Sequence, residues 1–292
     1  MPPSLASETA AMPAQPSAPA DTGITAFIGG GNMARSLVGG LVARGVDPVR
    51  IRVAEPVAAL RDALAGDFGV QVFEHARDAV AGADTWLLAV KPQVMRGICE
   101  ELAATARDAR PLAISIAAGI TAAQLDRWLG GSAAVVRAMP NTPALLGAGV
   151  SGLHANRHVD GDGRARAETL LASAGATVWI DDEVLMDAVT AVSGSGPAYV
   201  FLLTEAMEDA ARAQGLPADA ARTLVLQTIV GAARMLAESG EAPAELRRRV
   251  TSPGGTTQAA VETFESGGLR PLVAAAIDRA TVRGRELSAA ND

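Results

Sequence analysis

The stretch ITAFIGGGNMARSLVGGLVARG, residues 24–45, decides the fold. It runs from a short apolar segment through a glycine-rich turn into apolar residues at helical spacing. The turn reads G-x-G-x-x-A at Gly29, Gly31 and Ala34, with Gly30, Asn32 and Met33 between them. Each position has a task. Gly29 permits the tight turn, Gly31 lets a pyrophosphate approach the backbone, and Ala34 lets the helix pack closely on the strand. The free N–H groups and positive end of that helix would face the phosphates. The next apolar run, IRVAEP (51–56), carries Glu55, 21 residues beyond Ala34. A carboxylate at that distance can bind a ribose 2′-hydroxyl. The plain alternative is a glycine-rich turn followed by an unrelated surface acid. Strand before, helix after and acid beyond together favour a dinucleotide.

Outward from this unit, the pattern repeats. TWLLAV (85–90) and PLAISIAAG (111–119) read as buried parallel strands separated by helical stretches. AVVRAMP (134–140) is a further strand, and ATVWID (176–181) closes the sheet. Such alternation predicts a doubly wound sheet with helices on both faces. Ligands of these sheets bind outside the carboxyl ends of the strands. Those ends carry Val90, Lys91 and Pro92, then Ala117, Ala118 and Gly119, then Met139, Pro140 and Asn141. All nine are candidate cofactor contacts. Lys91 is the only lysine of the chain. Either the Arg-biased composition left one lysine by chance, or the site admits an ammonium and not the larger guanidinium fork.

Beyond Asp181 the strand signals stop and six helical segments follow. Ser195 is placed to cap one of them, with Pro197 in its first turn, and Gly215 and Gly240 are natural stops. Val225, Leu226, Ile229 and Val230 wrap one helix in apolar side chains on several faces. That pattern suggests a partner subunit. The expected organisation is therefore residues 1–22 as a disordered tail, 23–181 as a dinucleotide-binding domain and 182–292 as a helical domain for substrate and dimerisation.

Composition sets the limits. The chain has 292 residues, is 49% hydrophobic and 20% charged, and carries a net charge of −7. This composition is that of a soluble globular protein, and the charge argues against nucleic acid or an anionic membrane as partner. A single cysteine, Cys99, excludes an intrachain disulfide and fits a reducing cytoplasm. His75, His154 and His158 have no metal-ligand spacing, so no metal site is expected. The first 22 residues are rich in Ala, Pro and Ser and lack the basic region of a signal peptide.

The motifs FIGGGNMA, AVKPQ, SIAAGIT, RAMPNTPAL, AVSGSGPAYVF, GLP and VTSPGGTT occur in that order over residues 24–288. Together they resemble the pyrroline-5-carboxylate reductase family. The resemblance implies a Rossmann domain followed by a helical dimerisation domain, in a dimer or a decamer of five dimers. It implies reduction of 1-pyrroline-5-carboxylate to L-proline with NADPH or NADH. It also implies that the loop at 252–257 holds the substrate carboxylate. Ser252 and Thr257 would contribute hydroxyls there, with backbone N–H groups around Gly255 and Thr256, and Thr257 would orient the ring nitrogen. A helix start without a carboxylate of its own is an open anion site. From the residues alone, a Ser252-capped helix with Pro253 at its first position is the plainer reading. Glu55 stands where many relatives have Ser, Thr or Asn, and Ala76 where some have Asn. Both weaken an automatic preference for NADPH, and Arg35 or Arg52 could offset the charge of Glu55. The rivals are a related imine or 3-hydroxyacid reductase and a non-catalytic NAD(P) sensor. The former usually needs a lysine in the helical domain, where this chain has none.

Overall fold

The structure is a computed structural model, and it describes residues 23–291. The tail expected at residues 1–22 lies outside them. In chain order the first elements are β1 (Thr25–Ile28), α1 (Asn32–Ala43), β2 (Ile51–Ala54), α2 (Ala58–Phe68), β3 (Gln71–Phe73) and α3 (Ala76–Val80). Next come β4 (Thr85–Leu88), α4 (Pro92–Ala109), β5 (Leu112–Ser115), α5 (Ala122–Trp128) and β6 (Ala134–Met139). β7 (Gly149–Ala155), α6 (Gly161–Ala172) and β8 (Gly175–Trp179) complete the sheet region.

These strands form one eight-stranded sheet in the order β3-β2-β1-β4-β5-β6-β7-β8. The first six are parallel, β7 runs antiparallel to β6, and β8 runs parallel to β7. The order reverses between β1 and β4, which opens a crevice at their carboxyl ends. The doubly wound reading holds, and the sheet has two buried faces. Trp86, Leu88, Met95 and Leu102 pack on one, and Phe27, Leu37, Leu87 and Ile114 on the other. β4 and β5 are buried along their whole length, which is why they read as near-continuous apolar runs. ATVWID does supply an edge strand, but it pairs with β7, which has no clear strand signal in the sequence.

Helices follow: α7 (Met186–Val189), α8 (Gly196–Ala213), α9 (Ala218–Glu238), α10 (Pro243–Arg249), α11 (Thr256–Ser266) and α12 (Leu269–Ala290). The segment read as one helix over DDEVLMDAVTAV is instead a short 3-10 turn, α7 and a π-helical turn at Thr190–Gly194. Gly215 and Gly240 end their helices at positive φ, as their positions predict. Ser195 stands before α8, but its side chain makes no cap, while Pro197 does lie in the first turn. α12 returns to the sheet region. Asn291 donates to the Gly119 carbonyl at 3.0 Å, and Gln124 donates to that of Ser288 at 3.1 Å.

Candidate functional site

The glycine loop stands at the carboxyl end of β1. Gly29 has φ +105°, and an added Cβ would meet the Ala89 carbonyl oxygen at 2.7 Å. Only glycine fits there. Gly31 has an ordinary φ, and a Cβ on it would enter open space. It is also the N-cap of α1 and offers no side-chain partner to the first N–H groups of that helix. The result is an uncluttered anion cradle, and it fits a dinucleotide pyrophosphate. Asn32 and Met33 open the helix, and Ala34 is buried against the sheet.

The other strand ends gather beside this loop. Val90 and Lys91 follow β4, and Pro92 begins α4. Lys91 is exposed at the rim. Ala117 is buried, and its N–H donates to Ser115 Oγ at 3.3 Å. Gly119 needs its positive φ of +70° and lies under Leu287 of α12. Met139 packs against the π-helical turn so closely that a Cβ on Gly194 would come within 2.6 Å of its terminal methyl.

Two side chains read as cofactor contacts also bond the backbone. Glu55 is only 8% exposed. Its carboxylate accepts the Gly30 N–H at 2.9 Å and the Val57 N–H at 3.0 Å. It fixes the glycine loop before it meets any ribose. Asn141 accepts the Val150 N–H through Oδ1 at 2.9 Å and donates to the Ser193 carbonyl through Nδ2 at 3.2 Å. Its amide is thus occupied at both ends. The arginines expected to offset Glu55 also point elsewhere. Arg35 pairs with Asp67 and stacks over Phe68. Arg52 donates to the carbonyls of Ala79 and Ala81. The guanidinium at the end of β2 belongs to Arg61, which donates to the carbonyls of Glu55 at 2.7 Å and Pro56 at 2.8 Å. Arg61 lies six residues past Glu55 on the first turns of α2, and no motif marks it.

Below the crevice, Arg137 of β6 is buried between the two halves of the chain. Its guanidinium lies 3.1 Å from Asp187 and 3.5 Å from Glu183. Glu183 also accepts the Ala122 N–H at 2.6 Å. Nothing in the sequence pattern singles this cluster out.

The SPGGTT loop opens α11. The helix does not start at Pro253. It starts at Thr256, with Gly255 as an N-cap that has no side chain to offer. Gly254 takes φ +69°, and its N–H donates to Gln258 Oε1 at 2.7 Å. Gly255 N–H donates to the Ser252 carbonyl at 3.0 Å. A Ser252 cap is therefore ruled out, since its hydroxyl is not bonded to the helix start. Ser252 and Thr256 are exposed, and Thr257 is half-buried. Among the described residues the hydroxyls of all three have no hydrogen-bond partner. The helix start is thus free to receive an anion.

Similarity to known proteins now decides the family. Residues 183–287 match the model described as pyrroline-5-carboxylate reductase dimerisation. Residues 24–119 match that described as NADP oxidoreductase coenzyme F420-dependent. The chain is 51% identical to the pyrroline-5-carboxylate reductase of Pseudomonas aeruginosa, over 90% of this chain and 96% of that one. The chain belongs to the pyrroline-5-carboxylate reductase family. The solved reductase of Coxiella burnetii matches with a TM-score of 0.89 at 43% identity, covering 92% of this chain and 99% of that one. That of Plasmodium falciparum, solved with NADP bound, matches with 0.80 at 26% identity, covering 91% and 98%.

Among the described residues no group of His, Cys, Asp or Glu could hold a metal ion, and no helix is long and apolar enough to cross a membrane. Cys99 is buried, and burial together with the nearby Glu100 charge pushes its thiol up to about 12.

Proposed function

We propose that this chain reduces 1-pyrroline-5-carboxylate to L-proline with NAD(P)H. The observation that carries this reading is the bare start of α11. It has a glycine N-cap and three free hydroxyls, in a family segment devoted to dimerisation.

NAD(P)H, when bound, supplies the hydride. The chain's residues do the rest. Gly29, Gly30 and Gly31 shape the loop, and the first N–H groups of α1 bind the pyrophosphate. Val90, Lys91, Pro92, Ala117, Ala118, Gly119, Met139 and Pro140 line the dinucleotide crevice. Ser252, Gly255 and Thr256 hold the substrate carboxylate, and Thr257 hydrogen-bonds the ring nitrogen. The imine carbon gains hydride as the C=N π pair moves to nitrogen. The product nitrogen keeps the proton of an iminium or takes one from solvent. A threonine hydroxyl is a poor acid, so Thr257 orients the ring rather than protonating it.

The working unit is a dimer built through residues 182–288. The exposed apolar side chains of α8, α9 and α12 support this, and the matched dimerisation segment covers them. Five such dimers would make a decamer. A single buried thiol suits the cytoplasm. The test is steady-state oxidation of NADPH and NADH on addition of pyrroline-5-carboxylate, with proline identified as product. Folded protein that turns over neither cofactor would refute the reading. It would leave a non-catalytic NAD(P) sensor as the alternative.

A further inference from the structure

Asn141 stands at the N-cap of the 3-10 turn Thr142–Leu146. Asparagine at such a position normally accepts an N–H of the turn it begins. Here it makes no cap. Its side chain reaches away, to the Val150 N–H on β7 and the Ser193 carbonyl in the π-helical turn. The second bond has a sequence cause. In an α-helix the Ser193 carbonyl would accept from residue 197, and residue 197 is proline, without an N–H. The N–H of Ala198 is taken by the Ser195 carbonyl at 3.0 Å. Among the described residues the Asn141 amide is therefore what satisfies this carbonyl. Asn141 is 9% exposed, so neither bond is readily replaced by water.

The bond also joins two regions with different tasks. Asn141 follows Met139 and Pro140 at the carboxyl end of β6, on the dinucleotide side of the sheet. Ser193 belongs to the turn from which α8 and the helical region depart. The contact around it is tight: Met139 lies against Gly194, and a Cβ on Gly152 would meet Val189 at 2.5 Å. Single-turn π-helical bulges such as Thr190–Gly194 are frequent at functional sites, where they redirect a helix.

We infer that Asn141 is a positioning residue that fixes the helical, substrate-holding region against the dinucleotide crevice, rather than a cofactor contact. It sets the distance from hydride donor to imine carbon by tying the β6 loop to the π-helical turn before α8. This rests on the reductase reading above. Loss of the tie spares both half-sites and degrades their alignment, so the hydride step slows while cofactor binding is kept.

Two variants separate the bonds. Asn141→Asp keeps an acceptor for Val150 but sets an oxygen against the Ser193 carbonyl. Asn141→Ala removes both bonds without repulsion. Each is compared with wild type for kcat, both KM values, melting temperature and the isotope effect with 4-deuterated NAD(P)H. Both variants should lose roughly ten- to a hundred-fold in kcat, the range that misalignment produces. The KM for NAD(P)H should stay within about three-fold. The deuterium effect on kcat should rise as hydride transfer becomes limiting. Wild-type kcat in Asn141→Asp overturns the inference, and so does a loss confined to the cofactor KM. If Asn141→Asp does not fold, Asn141→Ala decides by the same two criteria. Absence of turnover in the wild type would instead refute the reductase reading, so the two failures are distinguishable.

Discussion

The two halves of this chain differ in how they bury their apolar residues. Residues 24–191 hold nearly the whole core, including Trp86, Phe27, Leu37 and Met95, all sealed between sheet and helices. Among the described residues beyond Ala191, only Ala221 and Val225 are buried apolar side chains, both on α9. α8 and α11 bury none of their residues. Meanwhile Phe201 is 66% exposed, Leu202 66% and Leu272 67%. Sequence composition does not explain this, since both halves are apolar. The first half folds upon itself because a sheet offers two faces to helices of the same chain. The second lays long helices side by side and leaves their outer stripes without a partner. A surface of that kind is completed by another subunit.

The hardest test of this contrast is to charge the open half. Phe201→Arg and Leu272→Arg should each shift the protein toward monomer in analytical ultracentrifugation and abolish most turnover. Covering one such side chain is worth about 1.5–3 kcal/mol, and a guanidinium in its place adds the penalty of burying a charge. The sheet half should keep its fold, seen as retained NAD(P)H binding. An active monomer would show that the helical half is self-sufficient.

The next largest effect concerns the bare helix start. Thr257→Ala should lower kcat/KM by roughly ten- to a hundred-fold, since a hydrogen bond to a charged group is worth about 1.5–3 kcal/mol. Thr257→Ser should retain much more. The fold should hardly change, because among the described residues the Thr257 hydroxyl makes no hydrogen bond and the cap is Gly255. If Thr257→Ala weakens NAD(P)H binding and spares turnover at saturation, α11 does not hold the substrate.

Legibility in the sequence follows the same division. β4 and β5 are legible because both their faces are covered, so their residues are nearly all apolar. β7 is not. Gly149 and Gly152 dilute its strand signal, and tertiary contacts demand both. A Cβ on Gly152 would strike Val189, and one on Gly149 would strike Ala144. Glu55 and Asn141 show a second limit. Both occur where a motif expects a ligand contact, and residue type and spacing agree with that expectation. Neither reveals that a backbone group a few ångströms away competes for the same side chain. Arg61 and Arg137 have no spacing rule at all, because their partners come from turns and separate elements.

Glu55 supplies a smaller effect at the border of the sealed half. Glu55→Ser should move the ratio of kcat/KM values toward NADPH by about ten-fold, as removing one unfavourable charge contact is worth roughly 1–2 kcal/mol. It should also lower the melting temperature, because the N–H groups of Gly30 and Val57 lose their acceptor. Glu55→Gln removes the charge and keeps one acceptor, so it should shift the ratio with a smaller loss of stability. An unchanged ratio with lowered stability in both variants would leave Glu55 as a loop anchor alone.

The smallest effect tests the seal itself. Cys99 lies on α4 in the core beside Trp86 and Leu102, with no exposed surface. Burial disfavours the thiolate, and the nearby Glu100 charge disfavours it further, so the thiol is pushed up to about 12. The reactive species is the thiolate. At pH 8 the folded protein should therefore react with a disulfide reagent far more slowly than the same chain in denaturant. Above about pH 11 the rate should rise if the fold persists. Cys99→Ala should leave kcat/KM unchanged and lower stability by only about 1 kcal/mol, the scale of losing a small buried group. Rapid labelling at pH 8 with full retention of activity would mean that α4 opens readily. The sealed half would then be less distinct from the open one than its burial implies.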